Sequence, residues 1–406
     1  MKIGIIREGK IPTDNRVALT PEQCQLLIER YKCEVSVEPS PHRCYSDAEY
    51  QSAGINLTTE LNDCDFLLGI KEIPVAQLIP NKTYLFFSHT IKKQSYNKKL
   101  LQSILAKKIK LVDYEVLKND KDQRLIAFGK FAGMVGAHNS VLGYGERTGL
   151  FTLPRLKSFL HYEDAVAVYK KMVLPPFKIV LTGHGRVATG AIQVLLDMGI
   201  EQINPYNFLF NKFDNPVFTQ LKPEDYAART DNTIYKKADF YSTPEKFTSV
   251  FAPYYRIADV FVNGIYYEKN APAFFSLSDM QQQEFKIKVI ADISCDLVPN
   301  SSIPATIRAT TIEIPFFGFN PSTKTETGAF DADAVTMMAV DNLPNELPRD
   351  ASRYFGEQLL EHILPELIKT HSEVISNATV AENGYLTPNF KYLEEFVKRD
   401  EIGEMR

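Results

Sequence analysis

Short apolar runs recur along roughly the first 130 positions, separated by stretches in which apolar residues return every three or four places. That alternation predicts a parallel sheet covered by helices. The runs from Lys2 to Ile6, Phe66 to Ile70, Tyr84 to Phe87 and Ile109 to Val112 read as strands, with a further one near Cys33 to Val37. A helix is expected after Arg16, because Thr20 caps it, Pro21 suits its first turn, and Gln23 completes a capping box ahead of Leu26 and Leu27.

Between Phe128 and Gly149 glycine stands at 129, 133, 136, 143, 145 and 149, a density suited either to close backbone approach or to a pivot. The first domain crossing is placed there. A second α/β pattern follows, with strands at FKIVL from Phe177, NFLF before Asn211, DVFVNGIYY from Asp259 and KVIADIS from Lys288. From Asp350 to Thr370 a helical run sets Tyr354, Phe355, Leu359, Ile363 and Leu367 on one face, expected to return to the first domain. The expected division is therefore residues 1–130 plus about 347–406, and 131–346. The polar tail 377–406 carries Tyr385, Phe390, Tyr392 and Phe396, and the pattern assigns it no role.

With 406 residues, 44% hydrophobic and 24% charged, the chain has globular composition and the length of two domains. Its net charge of -4 comes from interspersed acids and bases, which argues against nucleic acid and against a polybasic membrane patch. No apolar run approaches the roughly 20 residues of a membrane span, so a cytoplasmic protein is expected. Cys24, Cys33, Cys44, Cys64 and Cys295 are scattered without a CxxC pair, so neither a disulfide framework nor a metal site is expected.

The strand FKIVL runs into Thr182 and then GHGRVATGA, a G-x-G-x-x-A pattern at Gly183, Gly185 and Ala188 that opens a helix. Such a turn lets backbone reach a pyrophosphate at a helix N-terminus, with Arg186 and Val187 in the same loop. NAD enzymes commonly place a carboxylate at the end of the next strand. After NFLF come Asn211 and Lys212 instead, and Lys212 either meets a 2′-phosphate or is an ordinary solvated lysine. Both NAD and NADP therefore stay open.

In the N-terminal half, apolar runs end in Arg7, Lys71, His89 and Glu115. Taken singly, each is an ordinary solvated or hydrogen-bonded side chain. Taken together they fall at the carboxyl ends of parallel strands, where such sheets bind ligands. A lysine and a histidine sharing a cleft with Glu115 or Glu72 suit acid–base chemistry on an amine. Arg16 and Arg124 offer cations for substrate carboxylates, or form surface salt bridges.

The segments REGKIPTDNRVALTPEQ, GIKEIP, FFSHTIKKQ, LVDYEVL, RLIAFGKFAG, GHGRVATGA, VFVNGIYYEKNAP, VIADISCD, TTIEIPF and VDNLPNELPRDAS carry a resemblance that runs from residue 1 to about 370. In them the chain resembles the lysine-forming saccharopine dehydrogenases and the lysine–ketoglutarate reductase domains of bifunctional lysine-degradation enzymes, with FSHTIK and NGIYYEKNAP leaning toward the latter. The resemblance implies an α/β protein of two Rossmann-like domains, parallel sheets flanked by helices, with the active site in the interdomain cleft. It implies a nicotinamide cofactor, interconversion of saccharopine with lysine and 2-oxoglutarate, and Lys71 and His89 as the acid–base pair. Glu72 and Glu115 match carboxylates that tune the pair. Arg16, Gln94 and Arg124 match substrate- or cofactor-side positions. Phe128, Tyr266, Asp341, Asn342 and Leu343 match positions lining the nicotinamide cleft. Two departures stand out. Val187 and Gly264 replace cysteines of the fungal enzymes, which excludes a disulfide there, and no acid follows NFLF. An alanine dehydrogenase-like enzyme and a catalytically silent cofactor-binding protein are the competing expectations, and the oligomeric state is open.

Overall fold

The computed structural model describes residues 1–268 and 270–398; the last residues of the tail singled out above, 399–406, lie outside them. By contacts the chain divides into two units, Met1–Ala127 with Pro348–Arg406, and Phe128–Leu347.

The first unit is built on strands β1 (Lys2–Ile5), β2 (Glu34–Val37), β3 (Asn56–Leu57), β4 (Phe66–Leu68), β5 (Thr83–Phe86) and β6 (Lys110–Asp113). They lie in the order β6-β5-β4-β1-β2-β3, all parallel. The sheet extends past β6 through antiparallel strands Thr379–Glu382 and Tyr385–Leu386. This gives the tail a structural role, since Phe390 and Leu393 are buried with Leu101, Ile104 and Leu111. The first helix, Pro21–Tyr31, has the expected capping box on both sides. The expected run from Asp350 is helical over Pro348–Leu367, with a π-turn at Leu359–Ile363. The turn just precedes Pro365, which lacks an amide hydrogen and cannot complete a regular α-helix. Phe355, Leu359 and Ile363 form its buried face.

The second unit contains β7 (Lys178–Thr182), β8 (Glu201–Gln202) and β9 (Val217–Leu221). Its sheet runs Thr325–Thr327, Phe316–Asn320, Val335–Met338, Val289–Asp292, Val260–Asn263, β7, β9, β8, with only the first two strands antiparallel to their neighbours. One sequence expectation is overturned here. NFLF belongs to the helix Pro205–Phe210, not to a strand. Asn204 caps that helix through the Asn207 amide and Pro205 occupies its first turn, so a helix start outcompetes the apolar run. The strand beside β7 is β9, with Leu221 opposite Thr182.

The glycine-rich segment begins where the two units divide. It forms one helix, Gly129–Thr148, and its glycines serve close approach. A Cβ on Gly133 would stand 1.8 Å from the Val187 carbonyl oxygen, and one on Gly190 would stand 1.9 Å from that of Lys130. The helices Gly129–Thr148 and Arg186–Asp197 thus meet backbone to backbone. Gly190→Ala should drive them apart and lower stability by about 1–3 kcal/mol, the usual scale of overpacking. A thermal unfolding midpoint equal to the parent's would count against that reading of the contact.

Candidate functional site

Four neighbouring parallel strands of the first unit end in a cluster of charge. Past β4 the chain runs through Gly69 and Ile70 to Lys71 and Glu72, and past β5 through Phe87 and Ser88 to His89. Past β6 come Tyr114 and Glu115, and past β1 the loop Arg7–Arg16. Ordering begins with buried Asp113, whose carboxylate accepts from the Ser88 hydroxyl and amide and from the Glu115 amide at 2.8 Å. It pins the ends of β5 and β6 together.

His89 itself sits in the left-handed region, φ 51°. Such a conformation is uncommon for a residue with a side chain and often marks a functional constraint. Its ring lies stacked beside Phe87, and Nδ1 is 2.6 Å from Glu72 Oε1. Lys10 Nζ donates to the other Glu72 oxygen at 2.9 Å. Burial would raise the Glu72 pKa, but the hydrogen bond and charge of His89 and the Lys10 cation outweigh it and hold the carboxyl at about 2. A permanent carboxylate therefore orients the imidazole.

Lys71 lies in the same cluster. Burial, then the charges of Arg16 and Lys10, push its ammonium below the ordinary lysine range, against the pull of Asp14 and Glu72. Part of its surroundings departs from expectation. Arg16 is only 2% exposed, and its guanidinium pairs with Asp14 through Nε at 2.9 Å and a terminal nitrogen. Of the two readings open to Arg16, the ion pair is formed, in the interior rather than at the surface.

Glu115 accepts from Lys92 at 3.0 Å and lies 3.9 Å from Arg124. Burial acts to raise its pKa, but Lys92, Arg124 and His89 together hold it low. Arg124 lays its guanidinium over the Phe87 ring at 5.4 Å and donates Nε to the Ile126 carbonyl. Gln94 is exposed, accepting from the Tyr96 hydroxyl. Sequence reasoning missed Lys10 and Asp14, although both lie in the charged loop that follows β1 and the strand-end rule applied to the other strands would have found them.

In the second unit the glycine turn has the geometry of a dinucleotide cradle. Gly183 takes φ 107°, and a Cβ on it would come within 2.4 Å of the Gly264 carbonyl oxygen. A Cβ on Gly185 would meet nothing within 4 Å, so the backbone there is open to a ligand, at the N-terminus of the helix Arg186–Asp197. Ala188 is fully buried and lets that helix close on the sheet. Beneath the turn, Thr182, Asn263, Asp292, Ser302 and Thr306 form a buried hydrogen-bond network that fixes the strand ends. Val187 and Gly264 are neighbours, as a Cβ on Gly264 would lie 2.9 Å from Val187 Cγ1.

Tyr266 follows Val260–Asn263 and is 85% exposed. Exposed Asp341, half-buried Asn342 and buried Leu343 follow Val335–Met338, and Phe128 begins the glycine-rich helix. β9 is followed by Lys222, exposed and within electrostatic reach of His184 in the glycine turn. Gln220 ties β9 to that turn by donating to the Gly183 carbonyl at 2.7 Å. Lys212, the sequence candidate for this place, follows the helix Pro205–Phe210 instead. The reason is the misassigned strand.

Comparison with known proteins agrees with this architecture. Residues 4–135 match the family model described as "Alanine dehydrogenase/PNT, N-terminal domain". An L-alanine dehydrogenase superposes with TM-score 0.68 at 15% identity, covering 98% of this chain and 100% of that one. The transhydrogenase of Sinorhizobium meliloti gives 0.60 at 14% identity over 95% and 100%. The fold is therefore the α/β, Rossmann-like architecture of the alanine dehydrogenase type.

Within that class, the chain is homologous to the alpha-aminoadipic semialdehyde synthases and to the lysine-forming saccharopine dehydrogenases. It is 31% identical to alpha-aminoadipic semialdehyde synthase of Arabidopsis thaliana, over 98% of this chain and 41% of that one. The mitochondrial enzyme of that name in Mus musculus is 29% identical over 96% and 47%. Saccharopine dehydrogenase [NAD(+), L-lysine-forming] of Yarrowia lipolytica is 28% identical over 90% and 92%. The chain thus spans less than half of the synthases it matches. No helix among the described residues is long and apolar enough to cross a membrane.

Proposed function

We propose that the protein is a nicotinamide-dependent oxidoreductase that joins lysine to 2-oxoglutarate as saccharopine, and runs the reverse reaction on the same groups. The observation that carries this reading is the hydrogen-bonded chain Lys10–Glu72–His89 beside a half-buried Lys71, at the carboxyl ends of adjacent strands. It supplies two proton-handling groups where an amine, a carbonyl and water must each exchange protons.

The glycine turn at Gly183–Ala188 would hold the pyrophosphate, with Tyr266, Phe128 and Asp341–Leu343 toward the nicotinamide, and the bound cofactor would supply or accept the hydride. The chain's own groups then do the rest. In the joining direction the lysine amine attacks the 2-oxoglutarate carbonyl, and Lys71 protonates the oxygen and assists loss of water to leave the imine. Once hydride reaches the imine carbon, His89 delivers the proton that completes the secondary amine. In reverse His89 removes that proton, so that the nitrogen lone pair drives hydride departure, and Lys71 serves water addition and collapse. Arg124 and Gln94 are assigned to substrate carboxylates. Arg16, already paired with Asp14, is assigned instead to lowering the proton affinity of Lys71.

The decisive assay follows cofactor oxidation with lysine and 2-oxoglutarate, using NADH and NADPH side by side, against pyruvate and ammonia. Turnover only with pyruvate and ammonia would favour an alanine dehydrogenase, and nucleotide binding without any turnover would favour a silent binding protein. Because β9 is followed by Lys222 rather than a carboxylate, NADPH should be the better substrate. Lys222→Glu should lower kcat/KM for NADPH by about tenfold or more, one charge pair's worth, while sparing NADH. An equal loss with both cofactors would remove Lys222 from that role.

A further inference from the structure

We infer that Glu8 is a positioning residue, whose carboxyl group clamps the chain at the end of β4 and so holds Lys71 in its half-buried, cation-flanked place. The inference rests on the proton-handling role given to Lys71 above. Strand β1 ends at Ile5, and its ladder to β4 continues only through the Ile6 amide to the Leu68 carbonyl. Beyond it the chain leaves the regular ladder, and the consecutive amides of Ile70 and Lys71 turn to the loop that follows β1. Glu8 meets both with its side chain: Oε1 accepts from the Ile70 amide at 2.7 Å and Oε2 from the Lys71 amide at 2.9 Å. Two consecutive amides held by one carboxyl group fix the peptide plane between them, and with it the direction in which the Lys71 side chain departs.

Two glycines make room for this clamp. A Cβ on Gly9 would stand 2.8 Å from both Pro74 Cγ and Gln77 Oε1, so the loop carrying Glu8 is pressed against the segment beyond Lys71. A Cβ on Gly69 would lie 2.8 Å from Ile6 Cδ1 and 3.5 Å from Glu8 Oε1, so the carboxyl group rests over a residue with no side chain. The charged and titratable groups facing it are Asp14, Arg16 and the phenol of Tyr114. Burial first, then the Asp14 charge, raise the Glu8 pKa to about 8, against the two amides and Arg16.

The test reads Lys71 directly, through the pH dependence of its acetylation by acetic anhydride in the intact protein, followed by peptide mass spectrometry. Glu8→Gln keeps one acceptor and turns an NH2 toward the other amide, which opens the clamp. Release of Lys71 toward water should raise its labelling midpoint toward that of ordinary lysines and lower turnover with lysine and 2-oxoglutarate about tenfold, with KM for the cofactor unchanged. If Glu8 acted only as a nearby negative charge, the midpoint would fall instead. An unchanged or lowered midpoint overturns the inference. Should the Gln variant not fold, Glu8→Asp, one methylene short, is expected to shift the midpoint in the same direction by less. A raised midpoint with full turnover in Lys71→Met would leave the clamp standing and sink the catalytic reading of Lys71.

Discussion

Lys71→Met should lose at least about a hundredfold in turnover with lysine and 2-oxoglutarate, the usual scale for removing acid–base help, and should melt at a higher temperature than the parent. The two changes have one cause. Burial and the neighbouring Arg16 and Lys10 charges depress the Lys71 pKa, so the ammonium is less at home in the folded protein than in water. Between the depressed value and the ordinary lysine range the unfolded chain holds this proton while the folded chain does not, so stability climbs with pH across that window and is held down below it. The penalty is fully present only below the depressed value. Methionine has similar length and no charge, and replacing a disfavoured buried ion by an apolar side chain is often stabilising. Stability would thus be given up at the position where function is concentrated. Kinetics and a thermal melt at pH 7 check both halves together. Lost turnover with a lowered melting temperature would mean that the variant is merely damaged, and retained turnover would remove Lys71 from the chemistry.

Why the sequence made the first unit's site legible, and the second unit's less so, comes down to what each signal competes with. At the ends of β4, β5 and β6 a short apolar run stops at an ionisable residue, and no rival structure explains that pattern, so Lys71, His89 and Glu115 could be placed before any coordinates. Thr20, Pro21 and Gln23 were equally readable because capping is local chemistry. NFLF failed for the opposite reason. Four apolar residues suit a strand or a helix, and Asn204 with Pro205 decides for helix, so the residue that follows the strand beside β7 is Lys222 and not Lys212. The six-glycine segment offered two readings that composition alone cannot separate, and the approach of Gly133 to the Val187 carbonyl shows that close approach applies. For Arg16 the sequence offered two readings, substrate carboxylate or salt bridge, and does not reveal that Asp14, two positions away, pairs with its guanidinium.

His89→Gln should likewise cost at least about a hundredfold in turnover, and the way this loss combines with a second one tests how the site is wired. Glu72 hydrogen-bonds His89 Nδ1 and Lys10, so Glu72→Gln should act by loosening the imidazole and cost about tenfold. Groups that act through one another do not add: the double variant should be no slower than His89→Gln alone, whereas independent groups would multiply to about a thousandfold. The pH profile gives a second reading of the same wiring. With its pKa at about 2, Glu72 stays ionised across the working range, so it should contribute no limb of its own to kcat/KM above about pH 4. Its removal should therefore change the height of the profile without deleting a limb. The depressed Glu72 pKa also makes the carboxylate a source of stability above about pH 4.5, lost as pH falls through about 2, so the thermal advantage of the parent over Glu72→Gln should shrink across that window. Multiplicative losses in the double variant would show that the carboxylate does separate work, most directly through Lys10 and Lys71, and the His89–Glu72 pair would no longer be one unit.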